Sequence, residues 1–171
     1  MNRKLNILLA VATFLFLGPA GGSSFGQYIP NAPFKAPELR APDFSLKDLA
    51  GKTYKLSNQR GKSVLLFFGT TWCPSCRQQL PLYKELYNKY KDRGLEVIYI
   101  NIMESRTKVA RFVKANALPF RILLDDNAEV ANNYAVIGVP TIVLIGKEGK
   151  IIKAAHSLGE LPLQKLLPLN K

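Results

Sequence analysis

Between Phe44 and Ala155 the apolar and polar positions fall into short, regular blocks. Phe44-Ser45-Leu46 and Thr53-Tyr54-Lys55-Leu56 alternate apolar with polar around Ala50-Gly51, a pattern that predicts a β-hairpin. Val64 to Phe68 is an unbroken apolar run, as expected of a strand buried on both faces. From Pro74 to Arg93 the spacing turns helical: Leu80, Tyr83, Leu86 or Tyr87, and Tyr90 share one face. Pro74 suits the first turn, Pro81 is expected to kink the helix, and Gly94 to stop it. Leu95 to Asn101 reads as a second buried strand. Ser105 to Asn116 reads as an amphipathic helix, with Val109, Phe112 and Val113 inward. Arg106, Lys108, Arg111 and Lys114 would then form a solvated face. Arg121–Leu124 predicts a short strand and Glu129–Tyr134 a short helix. Thr141–Ile145 and Lys150–Ala154 predict two strands of a hairpin turning at Gly146–Gly149. Leu161–Leu169 is read as a terminal helix, against the sense of Pro162 and Pro168. Strands alternating with helices and closed by a hairpin give an α/β fold, a mixed sheet flanked by helices.

The first residues break this pattern. Arg3 and Lys4 precede an apolar stretch from Leu5 to Leu17, interrupted by Asn6 and Thr13, and Gly18-Pro19-Ala20 follow. That order is a signal-peptide pattern over residues 1–20 and implies export. The competing reading is an uncleaved anchor, although a helix over Leu5–Leu17 would be about 20 Å long against a hydrocarbon core of about 30 Å. Residues 21–41 hold Gly21, Gly22, Ser23 and Ser24, then Pro30, Pro33 and Pro37, the composition of a flexible linker. It would be the tether of an anchored protein. The folded domain is expected over residues 42–171, in a periplasmic or other extracytoplasmic setting.

The formal net charge of +12, two units of it from Arg3 and Lys4, allows attraction to anionic surfaces. No nucleic-acid motif accompanies it, and export argues against such a partner. The chain has two cysteines, both in Trp72-Cys73-Pro74-Ser75-Cys76, where the first buried strand meets the first helix. A bridge closing so small a loop constrains the unfolded chain little, which argues against a structural staple. At a helix N-terminus exposed N–H groups and the helix dipole favour a thiolate. Cys73 is the predicted nucleophile. Cys76, one turn on and more buried, would attack the mixed disulfide and release the partner. Zinc is disfavoured, because one Cys-x-x-Cys supplies two ligands and the single histidine, His156, lies far along the chain. No cofactor is expected; transient copper binding by the two thiols is the open metal reading. His156 itself reads as plain surface or core. Trp72 either shields the thiol and meets partners or packs on the domain. Gly138-Val139-Pro140-Thr141 sets a proline before a strand, either as a cis bond or as an ordinary first residue.

Together these residues resemble the thioredoxin superfamily. Trp72-Cys73-Pro74-Ser75-Cys76 resembles its active-site motif, Val139-Pro140-Thr141 its cis-proline loop, and Pro81, five residues after Cys76, its helix proline. A closer resemblance is to the TlpA/ResA-type branch. It rests on Ala41-Pro42-Asp43-Phe44-Ser45-Leu46, on the N-terminal hairpin, and on extra chain between Ile102 and Tyr134 that resembles the branch's central βα insertion. The resemblance covers residues from about Pro42 to the C-terminus. It implies catalysis by Cys73 and Cys76, supported by Trp72, Pro74, Ser75, Val139, Pro140 and Thr141. It implies reduction of disulfides in exported proteins, commonly apocytochrome c before haem attachment, with electrons from a membrane thiol carrier. The chain departs from the pattern twice. Phe67 stands where thioredoxin has a buried Asp, and Gln79 where many members of the branch have Glu.

Two other activities are compatible with parts of the pattern. A thiol peroxidase would have Thr70 three residues before Cys73 but also a proline where Leu66 stands. A copper chaperone or binding module would use the fold without exchange chemistry.

Overall fold

A computed structural model describes residues 39–163. The segment 1–20, most of the linker, and the terminal helix expected at 161–169 lie wholly or largely outside these residues. Among the described residues no helix is long and apolar enough to cross a membrane.

The chain folds in the order β1 (Ser45–Asp48), β2 (Thr53–Lys55), β3 (Ser63–Gly69), α1 (Pro74–Tyr90), β4 (Leu95–Ile102), α2 (Arg106–Ala115), β5 (Arg121–Asp125), α3 (Glu129–Asn133), β6 (Thr141–Ile145) and β7 (Ile151–Ala155). The strands form one sheet in the order β2-β1-β5-β4-β3-β6-β7. β3, β4 and β5 run parallel, and every other pairing is antiparallel. Both hairpins expected from the sequence are present, and α2, β5 and α3 occupy the extra chain between Ile102 and Tyr134.

The alternation of side chains along each strand divides the core into two layers. Leu65 and Phe67 of β3, with Tyr99 of β4 and Leu144 of β6, pack against Leu80 and Tyr83 of α1 and Val109 and Phe112 of α2. Leu66 and Phe68 point the other way, to Ile98, Ile100, Val143 and the small helix α3. All seven residues of β3 are buried, because both faces of the strand are covered. α1 presents the predicted stripe of Leu80, Tyr83, Leu86 and Tyr90 to the core and continues through Pro81. It ends at Tyr90, three residues earlier than expected; Lys91–Arg93 tighten into a 3₁₀ turn, and Gly94 takes the left-handed conformation (φ 81°) that glycine adopts without steric cost.

The basic face of α2 is exposed, as the sequence reading expects, and two of its cations also have protein partners. Arg106 donates through Nη1 to the carbonyls of Asp48 and Leu49, at 2.8 and 2.6 Å, and so ties the helix to the first hairpin. Lys108 pairs at 2.6 Å with Glu104, whose side chain is nearly buried. The Glu104–Lys108 pair has the i,i+4 spacing of a helical ion pair, whereas the Arg106 contacts, 58 and 57 residues away in sequence, are not readable from helical spacing.

Candidate active site

The parallel strands β3 and β4 deliver the chain to the same end of the sheet, the usual place for a site in an open α/β sheet. β3 ends at Gly69, the loop Thr70-Thr71-Trp72 crosses the edge, and α1 begins. Cys73 is the residue that caps α1, with extended backbone (φ −72°, ψ 115°), and its Sγ accepts the main-chain N–H of Cys76 at 3.2 Å. Pro74 takes the first helical position, where its missing N–H leaves nothing unpaired. Cys73 and Cys76 are joined as a disulfide, with their Cα atoms 5.3 Å apart. Ser75 Oγ stands 3.3 Å from Cys73 Sγ.

Cys76 was expected to be the more buried thiol. In the disulfide form the order holds by a small margin, with Cys73 3% and Cys76 1% exposed. Trp72 is 62% exposed, so it does not pack into the domain.

The second predicted segment closes the site from β6. The Val139–Pro140 peptide is cis. The Val139 carbonyl oxygen lies 3.8 Å from Cys73 Sγ, which brings the two sequence motifs together across 66 residues of chain. Pro140 is buried, and Thr141 Oγ1 donates to the Gly138 carbonyl at 2.7 Å, steadying the turn.

Residues 37–154 match the family model described as the AhpC/TSA family. The chain belongs to that family. Within it the chain is 37% identical over 152 residues to the thiol-disulfide oxidoreductase ResA of Bacillus cereus (strain ATCC 10987 / NRS 248), which covers 88% of each chain. It is 34% identical over 158 residues to ResA of Bacillus subtilis (strain 168), covering 90% of this chain and 86% of that one. Among solved structures, StoA from Bacillus subtilis superposes with a TM-score of 0.60 at 29% identity, over 68% of this chain and 88% of that chain. The thioredoxin domain of a thiol-disulfide oxidoreductase from Bacteroides vulgatus superposes with a TM-score of 0.65 at 28% identity, over 70% and 88%. The protein is thus a thioredoxin-fold thiol–disulfide oxidoreductase of the ResA type.

For a member of this group, the surroundings of the cysteine pair are built from unexpected side chains. Phe67 is fully buried and stacks on Tyr83 with ring centroids 4.1 Å apart, so an aromatic layer fills the position where the resemblance led us to look for a carboxylate. Gln79 uses both ends of its amide. Its Oε1 accepts from Tyr83 OH at 3.2 Å, and its Nε2 donates to the His156 carbonyl at 3.0 Å.

Sequence reasoning missed three polar residues beside the site. Glu104, just beyond β4, accepts from Thr71 N–H (2.6 Å), Thr71 Oγ1 (2.6 Å) and Asn101 Nδ2 (2.7 Å), besides its ion pair with Lys108. Arg77 Nε donates to the Thr71 carbonyl at 2.8 Å, so Thr71 is held on both sides. Burial by itself would raise the Glu104 pKa; the Lys108 ammonium, the Thr71 hydroxyl and N–H, and the Asn101 amide together outweigh it and hold the group at about 2. The third residue is His156. It is exposed, as the surface reading expects, and its Nδ1 lies 2.8 Å from the Pro140 carbonyl and donates to it, a contact that the reading does not foresee. The signal that could have found Asn101 and Glu104 is their position, polar residues at and just past the C-terminal end of a buried parallel strand.

Proposed function

We propose that this protein is an exported disulfide reductase in which Cys73 attacks and Cys76 resolves. The observation that carries the reading is the Cys73–Cys76 disulfide at the start of α1, with the Cys76 N–H directed at Cys73 Sγ. In the dithiol form the same N–H and the helix terminus favour negative charge on that sulfur. The Cys73 thiolate attacks one sulfur of a partner's disulfide, and the other partner sulfur leaves as a thiolate. The Cys76 thiolate then attacks Cys73 Sγ, breaks the mixed disulfide and releases the second partner thiol. The partner gains two electrons, and the protein is left as the disulfide described above. With two cysteines in the chain, resetting requires an external thiol donor.

The ResA relatives support disulfide-containing protein substrates. The signal-peptide pattern supports an extracytoplasmic, periplasmic-type location with cleavage or a membrane tether. The resemblance stated from the sequence supports apocytochrome c as substrate and a membrane thiol carrier as donor. Trp72, exposed beside Cys73, and the Val139–Thr141 turn are placed to contact the partner chain, while Pro74 and Ser75 shape the turn between the sulfurs.

Trapping tests the assignment. Cys76→Ser should accumulate a mixed disulfide through Cys73 when mixed with oxidised exported proteins, visible on non-reducing gels and by mass spectrometry. Cys73→Ser should not. Equal trapping by both variants would defeat the division of roles.

A further inference from the structure

Two halves of the site come from distant parts of the chain: the cysteine pair on α1, and the Val139–Pro140 turn at the start of β6. Pro140 has no N–H, so its carbonyl is its one main-chain polar group. The ladder between β6 and β7 pairs Ile142 with Ala155 and then stops. One antiparallel step further, Thr141 would face His156. There the His156 ring takes over from the ladder and donates to the Pro140 carbonyl at 2.8 Å. The His156 carbonyl is in turn held by Gln79 Nε2 at 3.0 Å, and Gln79 Oε1 is held by Tyr83 OH at 3.2 Å. Gln79 lies one turn after Cys76 on α1, and Tyr83 is fully buried one turn further on. Residue 79 must therefore donate on one side and accept on the other, which an amide does and an ionised carboxylate does not.

We propose that Gln79 and His156 are positioning residues: they form a brace that fixes the Val139–Pro140 turn to α1 and so sets the gap that a partner's polypeptide enters beside Cys73. The Thr141 Oγ1 bond to the Gly138 carbonyl steadies this turn internally but does not reach α1, and the segment that precedes it is open to solvent. Ile137 is 97% exposed, and a side chain at Gly138 would meet open space. The Val139 carbonyl stands 3.8 Å from Cys73 Sγ, so movement of the turn changes the gap directly. A small disulfide reaches the sulfur without spanning the turn. A disulfide within a polypeptide places main chain on both sides of the sulfur and feels the turn's position. The brace therefore affects exchange with polypeptides and leaves the chemistry of Cys73 unchanged.

The test compares single-turnover oxidation of the reduced protein by oxidised glutathione and by a peptide closed by one cystine, read from the fluorescence of Trp72, the chain's one tryptophan. His156→Ala and Gln79→Ala should each slow the peptide reaction about three- to tenfold, the worth of one hydrogen bond, and leave the glutathione rate within about twofold. His156→Asn, whose amide can donate from nearly the place of Nδ1, should recover most of the peptide rate. The double variant should be no slower than either single one, because both break one chain of contacts. An unchanged peptide rate in His156→Ala, an equal fall with both oxidants, failure of Asn to rescue, or additive losses would each overturn the brace. His156 is exposed, so its variants are expected to keep the wild-type circular dichroism spectrum. The inference rests on Cys73 being the attacking thiol. Exchange persisting in Cys73→Ala would defeat that assignment, whereas a wild-type peptide rate in His156→Ala would defeat the brace with the assignment intact.

Discussion

Removing the Glu104 carboxylate should loosen the loop that leads into Cys73, and its cost can be worked from the contacts. Glu104 accepts three hydrogen bonds from Thr71 and Asn101 and pairs with Lys108. Its carboxyl is held at about 2, against an ordinary value of 4.5. A folded-state pKa below the unfolded one stabilises the fold above the unfolded value, and that stability is lost as pH falls through the folded value. At about 1.4 kcal/mol per unit, the shift corresponds to about 3 kcal/mol, present at neutral pH and lost between about pH 4.5 and pH 2. About 2 kcal/mol of it should be gone by pH 3. Glu104→Gln keeps the shape but cannot ionise, and its NH₂ faces other donors. Urea unfolding of the oxidised protein at pH 7 should therefore show Glu104→Gln less stable by about 2–3 kcal/mol, and the gap should shrink to about 1 kcal/mol or less at pH 3. Other carboxylates titrate in the same window, but they do so in both proteins and cancel in the difference. A gap that stays constant from pH 7 to pH 3, or is below about 0.5 kcal/mol at pH 7, would refute this account of Glu104.

Two further substitutions probe the frame around the site. A Cβ at Gly69, the last residue of β3, would stand 2.8 Å from Cε2 of the fully buried Tyr99, so Gly69→Ala should destabilise by about 1–3 kcal/mol and lower the melting temperature by several degrees. An unchanged melting temperature would show that the aromatic layer gives way. Asp125 is fully buried, and its carboxylate oxygens accept from the N–H groups of Val130 (3.2 Å) and Ala131 (2.8 Å) at the start of α3. Asp125→Ala should cost about 2–4 kcal/mol by denaturant unfolding and speed amide exchange in α3, with Asp125→Asn intermediate; equal stability of the two variants would contradict this.

The strands and helices were legible in the sequence because burial leaves a periodic trace. Val64 to Phe68 reads as a doubly covered strand since no polar residue interrupts it, and α1 shows its buried stripe at helical spacing. The cysteine motif announced its place because Cys-x-x-Cys falls where that strand gives way to that helix. The side chains that tie the site together left no such trace. Glu104 meets Thr71 across 33 residues and His156 meets Pro140 across 16. Each is a single polar residue in a turn or at a strand end, where periodicity carries no information. The partners of Arg106 stayed hidden for the same reason: the pattern shows that it points away from the helix's own apolar face, and says nothing of the hairpin that meets it there. Likewise Gln79 showed in the sequence as a missing carboxylate, and its use of both amide ends became visible with Tyr83 and His156 placed around it.

The central claim, that Cys73 and Cys76 form a reducing redox pair, is tested most directly by the pair's reduction potential. Equilibrating the domain in glutathione or dithiothreitol buffers and counting free thiols by mass spectrometry gives it. The account predicts a value near that of thioredoxin, about −270 mV, low enough to drive electrons into a partner's disulfide. A value near about −120 mV, that of a strong oxidant, would contradict it and make the protein a donor of disulfides.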